Sequence, residues 1–187
     1  MTGGFQVAAR LVRGLTWAQL AMSGVLFILA LGLYTAEVVM RTGFSTGYPE
    51  YYEVVGYAFI YVFLFGAGAL YARNEDIMIE AIYQHLGQRA KAWLELVVYV
   101  TMAVTMVIVG IHTWILIGLQ MNTPTPLLEV PESVKWFPLL FLCASIAFTS
   151  AIEAWGCVIW IARGTRPLVW TTPPFDVVDP NEKEEVL

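Results

Sequence analysis

Four long apolar runs follow one another along this chain, separated by short polar segments. They cover about residues 17–39, 54–72, 96–119 and 136–162. Each run is near the length of about 20 residues that an α-helix needs to cross the hydrocarbon core of a bilayer. Apolar and polar residues do not alternate with a period of two, so the strands of a membrane barrel are not indicated. The pattern predicts an all-α integral membrane protein with four transmembrane helices.

The segment between the second and third runs, from Arg73 to Lys91, has an amphipathic pattern. Apolar residues share one helical face, and polar residues repeat every fourth position on the opposite face: Asp76, Glu80, Gln84 and Gln88. This spacing predicts a surface helix over about residues 75–88 on the cytoplasmic side. Its polar face is acidic, unlike the basic face of helices that bind anionic lipid. Two interpretations stay open: docking against a protein partner, or a connector resting on the membrane interface.

Composition and length limit the number of domains. The chain has 187 residues, of which 58% are hydrophobic and 13% charged, a balance outside that of ordinary soluble domains. We expect one four-helix membrane domain over residues 1–163. Residues 164–187 contain four prolines and end in NEKEEVL, which predicts a flexible cytoplasmic tail. The first apolar run is longer than the core of a secretory signal, and we interpret it as a retained span.

The basic residues predict the orientation. Of the ten Lys and Arg residues, all except Arg41 and Lys135 lie near the two ends of the chain or between the second and third runs. Cytoplasmic loops carry an excess of such residues, so we expect both termini in the cytoplasm. The net charge is -5 and the chain has no basic patch, so nucleic acid is not an expected partner.

Charged residues near one end of the spans are candidates for polar contacts. Glu37 and Arg41 have the spacing of a helical ion pair. Glu50 and Glu53 open the second run after a short loop, so Arg41 could instead bridge to one of them. We interpret these residues as a clasp that holds spans one and two together or to a neighbouring subunit. A role in transport is the alternative.

Two further ionisable residues lie within apolar runs. Glu153 is about 13 Å along a helix from the cytoplasmic end of the fourth run, a depth at which a carboxylate usually marks a function or an interface. Interface anchoring and proton coupling are both open interpretations. His112 lies alone in the third run and would need a second ligand to bind haem, so a hydrogen bond to a neighbouring helix is the preferred interpretation.

Small residues and prolines indicate contact surfaces. Gly24 and Gly32 in the first run, and Gly66 and Gly68 in the second, let helices approach closely and predict helix packing. The segment NTPTPLLEVPESVKWFP before the fourth run has four prolines, which exclude a continuous helix and predict a rigid, extended outer turn. With few charges, this turn is typical of a contact surface.

Recognisable catalytic patterns are missing from the sequence. It has no phosphate-binding loop, no catalytic triad and no metal-ligand cluster, so we expect no enzyme activity, no cofactor and no bound metal. It also lacks the repeated halves of many stand-alone transporters. The remaining interpretation is a helical accessory subunit.

The motifs resemble those of the small permease subunit, DctQ type, of tripartite ATP-independent periplasmic (TRAP) transporters. The similar stretches are VVMR (38–41), PEYYEVVGY with Glu50 and Glu53, FLFGAGAL (63–70), ARNEDIMIEAI (72–82) and TPTPLLEVP (123–131). In the fourth of these, Asp76 stands where the family often has histidine, and Arg73 and Glu80 match the basic and acidic positions.

This resemblance implies the partners and the location. The expected partners are a large multi-span permease subunit of the elevator type, a periplasmic substrate-binding protein and membrane lipid. The complex would take up an organic acid, driven by an ion gradient that is usually sodium, across the inner membrane of a bacterium. The small subunit would brace the scaffold of the large one.

Two alternatives belong to other functional classes. One is a haem-binding membrane anchor of a respiratory enzyme that uses His112. The other is a self-contained small proton-coupled exporter that uses Glu153.

Overall fold

A computed structural model of the protein describes residues 2–48, 50–72 and 86–163. These residues form four long α-helices: α1 (Thr2–Phe44), α2 (Glu50–Ala72), α3 (Gln88–Gln120) and α4 (Phe137–Arg163). A short 3-10 helix, Glu132–Trp136, precedes α4. The prediction of an all-α fold with four helices long and apolar enough to span a membrane is confirmed.

The first and third helices are longer than the apolar runs that predict them. α1 has 43 residues and α3 has 33, whereas about 20 suffice to cross the hydrocarbon core. Hydropathy marks only the part of a helix that suits hydrocarbon, and a helix can continue into the headgroup region and water. Within α1, the added turns before the apolar run include Arg10 and Arg13.

The helices are arranged as two pairs joined in the middle. α1 packs along α2, α3 packs along α4, and contacts between α2 and α4 join the pairs. The 3-10 helix lies against α3 and α4. α1 and α3 therefore lie on opposite sides of the central α2–α4 pair, and each leaves much of its surface uncovered by this chain.

A polar junction connects α1, α2 and α4. The side chain of Gln19 on α1 is 1% exposed, and its Nε2 donates a hydrogen bond to Ser145 Oγ on α4 at 3.0 Å. Gly68 on α2 makes room for this contact, because a Cβ there would lie 2.7 Å from Gln19 Nε2 and 3.1 Å from Leu142 Cδ1. The absence of a side chain at position 68 thus permits three helices to meet.

The other three predicted packing glycines have different surroundings. Near Gly66, the Ser23 hydroxyl donates to the Val62 carbonyl at 2.9 Å, and a Cβ at position 66 would lie 3.3 Å from Ser23 Oγ. A Cβ at Gly24 or Gly32 would meet nothing within 4 Å. Close packing at these two positions stays a prediction that requires a helix from another molecule.

Most of the predicted surface helix lies outside the described residues, including Arg73, Asp76 and Glu80, and so does the predicted tail. At the near end of that segment, Gly87 has an extended backbone with φ -66° and ψ 157°, and α3 begins at Gln88. The structure therefore assigns residue 88 to α3 instead of to the predicted surface helix.

The Gly68 junction predicts a position-dependent effect of adding one methyl group. Gly68→Ala should lower the free energy of unfolding, because overpacking a fitted core costs about 1–3 kcal/mol, more than the roughly 0.5–1 kcal/mol that alanine gains over glycine in a helix. Gly118→Ala on α3 is the matched control, since a Cβ there meets nothing within 4 Å. Thermal unfolding in detergent should show a lower Tm for Gly68→Ala and an equal or higher Tm for Gly118→Ala. Equal Tm values for the two variants would contradict the junction.

Candidate functional site: the loop end of the bundle

The segment between α3 and the 3-10 helix, residues 121–131, is called here the proline loop. It folds back on itself: the Thr125 amide donates to the Val130 carbonyl at 2.8 Å, and the Glu132 amide donates to the Thr123 carbonyl at 2.9 Å. Glu129 has a positive φ of 54°, an uncommon conformation for a residue other than glycine. The loop is therefore a turn closed by backbone hydrogen bonds, and the prediction that it is extended is wrong, because these bonds bring its two ends together.

Glu53, in the first turn of α2, holds the tip of the proline loop. Its Oε2 accepts hydrogen bonds from the Leu128 amide at 3.0 Å and the Leu127 amide at 3.2 Å. Its Oε1 accepts the Tyr57 hydroxyl at 3.0 Å. Hydrogen bonds to an ionised carboxylate are roughly twice as strong as neutral ones, so this side chain fixes the loop to α2 across more than seventy residues of sequence.

Two more contacts attach the 3-10 helix to its neighbours, and an ion pair lies within it. The Tyr61 hydroxyl on α2 donates to the Val134 carbonyl at 2.7 Å. Trp136 Nε1 donates to Gln120 Oε1 at the end of α3. Lys135 pairs with Glu132 at 2.8 Å. Together with Glu53, these contacts connect α2, α3 and the start of α4 at one end of the bundle, called here the loop end.

Arg41 contacts a different residue from those that the sequence predicts. Its Nη1 donates to the Tyr52 hydroxyl at 2.6 Å, and no ion pair joins it to Glu37, Glu50 or Glu53 in the described chain. Arg41 bonds to Tyr52 because Tyr52 lies where α2 passes the end of α1. Glu53 already accepts hydrogen bonds from the proline loop. A tyrosine near a membrane surface usually indicates an interfacial belt, so its hydrogen bond with Arg41 was not foreseeable.

Glu37 is the most deeply buried charged residue of this end. Its side chain is 3% exposed, and neither carboxylate oxygen has a hydrogen-bond partner within bonding geometry among the described residues, although the Tyr52 hydroxyl is close enough to interact with it. Tyr52 thus lies between Glu37 and Arg41, the two residues that the sequence pattern predicts to form an ion pair. Glu50, by contrast, is exposed.

A second group of polar residues lies in the opposite half of the bundle. Glu95 on α3 is 6% exposed and accepts a weak hydrogen bond from the Cys157 thiol at 3.8 Å. Glu95 and Glu153 both lie near enough to Tyr99 for their charges to act on its hydroxyl. The sequence did not reveal Glu95, because it stands one position before the third apolar run and resembles a loop residue.

His112 contacts its own helix. The ring is exposed, and Nδ1 lies 2.8 Å from the Ile108 carbonyl, so it is directed away from the helix contacts of α3. Within the described ranges, no three His, Cys, Asp or Glu side chains converge as metal ligands would. This geometry gives no support to the haem-anchor alternative.

Comparisons with known proteins point to one family. The family profile described as "Tripartite ATP-independent periplasmic transporters, DctQ component" matches residues 30–159. A protein of Haemophilus influenzae that is named as a candidate TRAP transporter small permease is 24% identical over 131 residues, which cover 68% of this chain and 80% of that protein. No solved structure matches the chain.

The Glu53 contacts predict a change confined to the proline loop. Glu53→Ala removes the acceptor of two backbone amides, so hydrogen exchange at Leu127 and Leu128 should speed up about tenfold or more, on the order of the loss of one charge-assisted hydrogen bond. Glu50→Ala is the matched control, because Glu50 is exposed three residues away. Hydrogen exchange read by mass spectrometry on the purified protein measures the difference. Unchanged exchange at these amides in Glu53→Ala would contradict the anchoring role.

Proposed function

The chain belongs to the DctQ component family of the TRAP transporters, and on that premise we propose that it braces the large permease subunit of such a transporter. Members of this family are small membrane subunits, and the relative from Haemophilus influenzae has such a name. In the proposed complex the large subunit moves the substrate by an elevator motion, and a periplasmic binding protein delivers it. The substrate would be an organic acid, and an ion gradient, usually of sodium, would drive its uptake.

The observation that carries this proposal is that polar side chains of one helix form hydrogen bonds with other helices and with the proline loop. Gln19 bonds to Ser145, Tyr71 bonds to Ser150 at 2.6 Å, and Glu53 bonds to the proline loop. Each of these contacts joins different segments of the chain to one another. Hydrogen bonds between different segments stiffen the helix bundle. A stiff bundle suits the part of a transporter that stays still while another part moves.

The two outward faces of the bundle differ in shape, and this difference supports a location for the large subunit. On α1, Ile28 is 70% exposed and has Gly24 and Gly32 one turn before and after it, both facing open space. A bulky residue between two glycines can interdigitate with the side chains of a facing helix. The outward face of α3 carries bulky exposed side chains along most of its length, Val97, Val104, Ile108, Ile111 and Ile115, and has a glycine in open space, Gly118, towards the loop end. We assign the α1 face to the large subunit and the α3 face to lipid.

Replacing one of these glycines on α1 by a large residue should weaken the complex with the large subunit. Gly24→Leu or Gly32→Leu should lower the amount of large subunit that co-purifies with this chain by about tenfold, because the facing helix can no longer approach closely. Gly118→Leu makes the same change on α3, also in open space, and should leave co-purification intact. The measurement is the ratio of the two subunits after affinity purification in mild detergent.

Two outcomes would contradict the proposal at different levels. Equal recovery of the large subunit with the α1 and α3 variants would reject the assignment of faces. Purification of the unaltered chain without any large hydrophobic partner, together with normal solute uptake in a strain that lacks this chain, would reject the bracing function itself.

The polar contacts at the loop end predict a further effect on assembly. Arg41→Ala and Glu53→Ala should reduce the yield of intact complex, because each removes a contact that fixes the end of α2. The substrate concentration at half-maximal uptake should stay within about twofold of normal in the complex that remains, since neither side chain binds substrate in this account. Uptake kinetics in vesicles, normalised to the amount of complex, test this. Full yield combined with a large change in substrate affinity would count against it.

A further inference from the structure

The first turns of α1 extend beyond its apolar run and carry two exposed arginines. Arg10 and Arg13 are exposed, and so is Trp17, at the start of the apolar run. Spacings of three, four and seven residues place these three side chains on one side of the helix. On the other side, Val12 and Thr16 are buried. We name the outward side, formed by Arg10, Arg13 and Trp17, the arginine surface of α1.

The two arginines lie at the level of the lipid headgroups. Trp17 opens the apolar run, and tryptophan is enriched where hydrocarbon meets the headgroups. Along α1, at 1.5 Å per residue, Arg13 lies about 6 Å and Arg10 about 10 Å beyond Trp17. Each headgroup layer is about 5–8 Å thick, because a bilayer measures roughly 40–45 Å with its headgroups and 30 Å without them. Long arginine side chains on these turns can therefore reach lipid phosphate groups.

Neither arginine is engaged within the described part of the chain. No hydrogen bond or ion pair joins Arg10 or Arg13 to another described residue. The helix continues on both sides of them, so the backbone that carries the two guanidinium groups is already ordered, and binding does not incur the cost of ordering it. A guanidinium group is a planar donor that matches the geometry of phosphate oxygens and is more weakly hydrated than an ammonium group. The surface is thus suited to an anion that contains phosphate.

The neighbouring indole favours a lipid over a soluble anion. Trp17 is 71% exposed and lies one turn from Arg13, on the side of the hydrocarbon. A phospholipid with a negatively charged headgroup has its groups in the same order, with phosphate above and acyl chains below. Charge and hydrophobicity of the arginine surface therefore both match such a lipid.

We propose that Arg10, Arg13 and Trp17 form a binding site for an anionic phospholipid, with the phosphate held by the two guanidinium groups and the acyl chains passing Trp17. The inference rests on the orientation that the basic residues predict, because anionic lipids give the cytoplasmic leaflet its negative surface potential. It goes beyond the bracing function and does not require it. The site would anchor at the membrane surface the helix that we assign to the large subunit.

The first test is lipid selectivity of the purified, unaltered chain. Native mass spectrometry measures the bound lipid as phosphatidylglycerol or phosphatidylcholine with the same acyl chains is titrated. Both lipids contain phosphate, but only the first has a net negative headgroup. The chain should bind phosphatidylglycerol at least about tenfold more tightly, because each basic residue at an anionic lipid surface strengthens binding by about fivefold. Equal affinity for the two lipids would overturn the proposal.

The second test removes the two charges. Arg10→Gln with Arg13→Gln should weaken phosphatidylglycerol binding at least about tenfold, while Arg10→Lys with Arg13→Lys, which keeps both charges, should retain most of the affinity. The matched control is Arg89→Gln, which removes an exposed arginine from the same end of the bundle, four residues before the exposed Trp93 on α3. It should weaken binding by no more than the roughly fivefold effect of one charge.

Three results would assign the arginines otherwise and overturn the lipid site. Equal losses in the glutamine pair and in Arg89→Gln would mean that binding follows net charge alone. Displacement of phosphatidylglycerol by an equal concentration of inorganic phosphate would indicate a site for a soluble anion. Loss of the co-purifying large subunit from the glutamine pair, at unchanged lipid affinity, would place the arginines in the subunit interface. Because lipid binding is measured on this chain alone, failure of the lipid site leaves the bracing function standing.

Discussion

A polar group inside a bilayer has no water to bond with, so a helical membrane protein must satisfy such groups internally. In this chain one such contact decides how three of the helices meet. Gln19 can bond Ser145 across the bundle only because Gly68 lacks a side chain, and this fixes α1 and α4 on either side of α2. At the loop end, which is more exposed, the Glu53 carboxylate binds backbone amides of the turn before α4 and holds that turn against α2.

The arrangement that results suits the supporting role proposed above. Two helix pairs joined through α2 and α4 leave the outward faces of α1 and α3 without cover from this chain. A closed bundle would bury those faces and enclose an interior in which a solute could bind. An open arrangement presents apolar surface on both sides, so that one side can pack on a larger subunit while the other meets lipid.

Sequence patterns predict the four helices well, because the length of an apolar run shows directly whether a helix can cross the hydrocarbon core of the bilayer. They do not predict which helices are neighbours, since each run is apolar on nearly all sides and gives no preferred face. The partner of Glu53 is a pair of backbone amides, which have no signature in the sequence. Tyr52 and Glu95 were missed for related reasons: one resembles an interfacial tyrosine and the other stands just outside an apolar run.

Flux measurements on vesicles that contain only this polypeptide test the central claim most directly. If the chain works by supporting a larger subunit, such vesicles should pass neither organic acids nor sodium nor protons above the level of empty vesicles, and uptake should begin only when the large subunit and the binding protein are added. Solute or ion flux through the chain alone would contradict the account, because it would require a pathway within the four helices themselves.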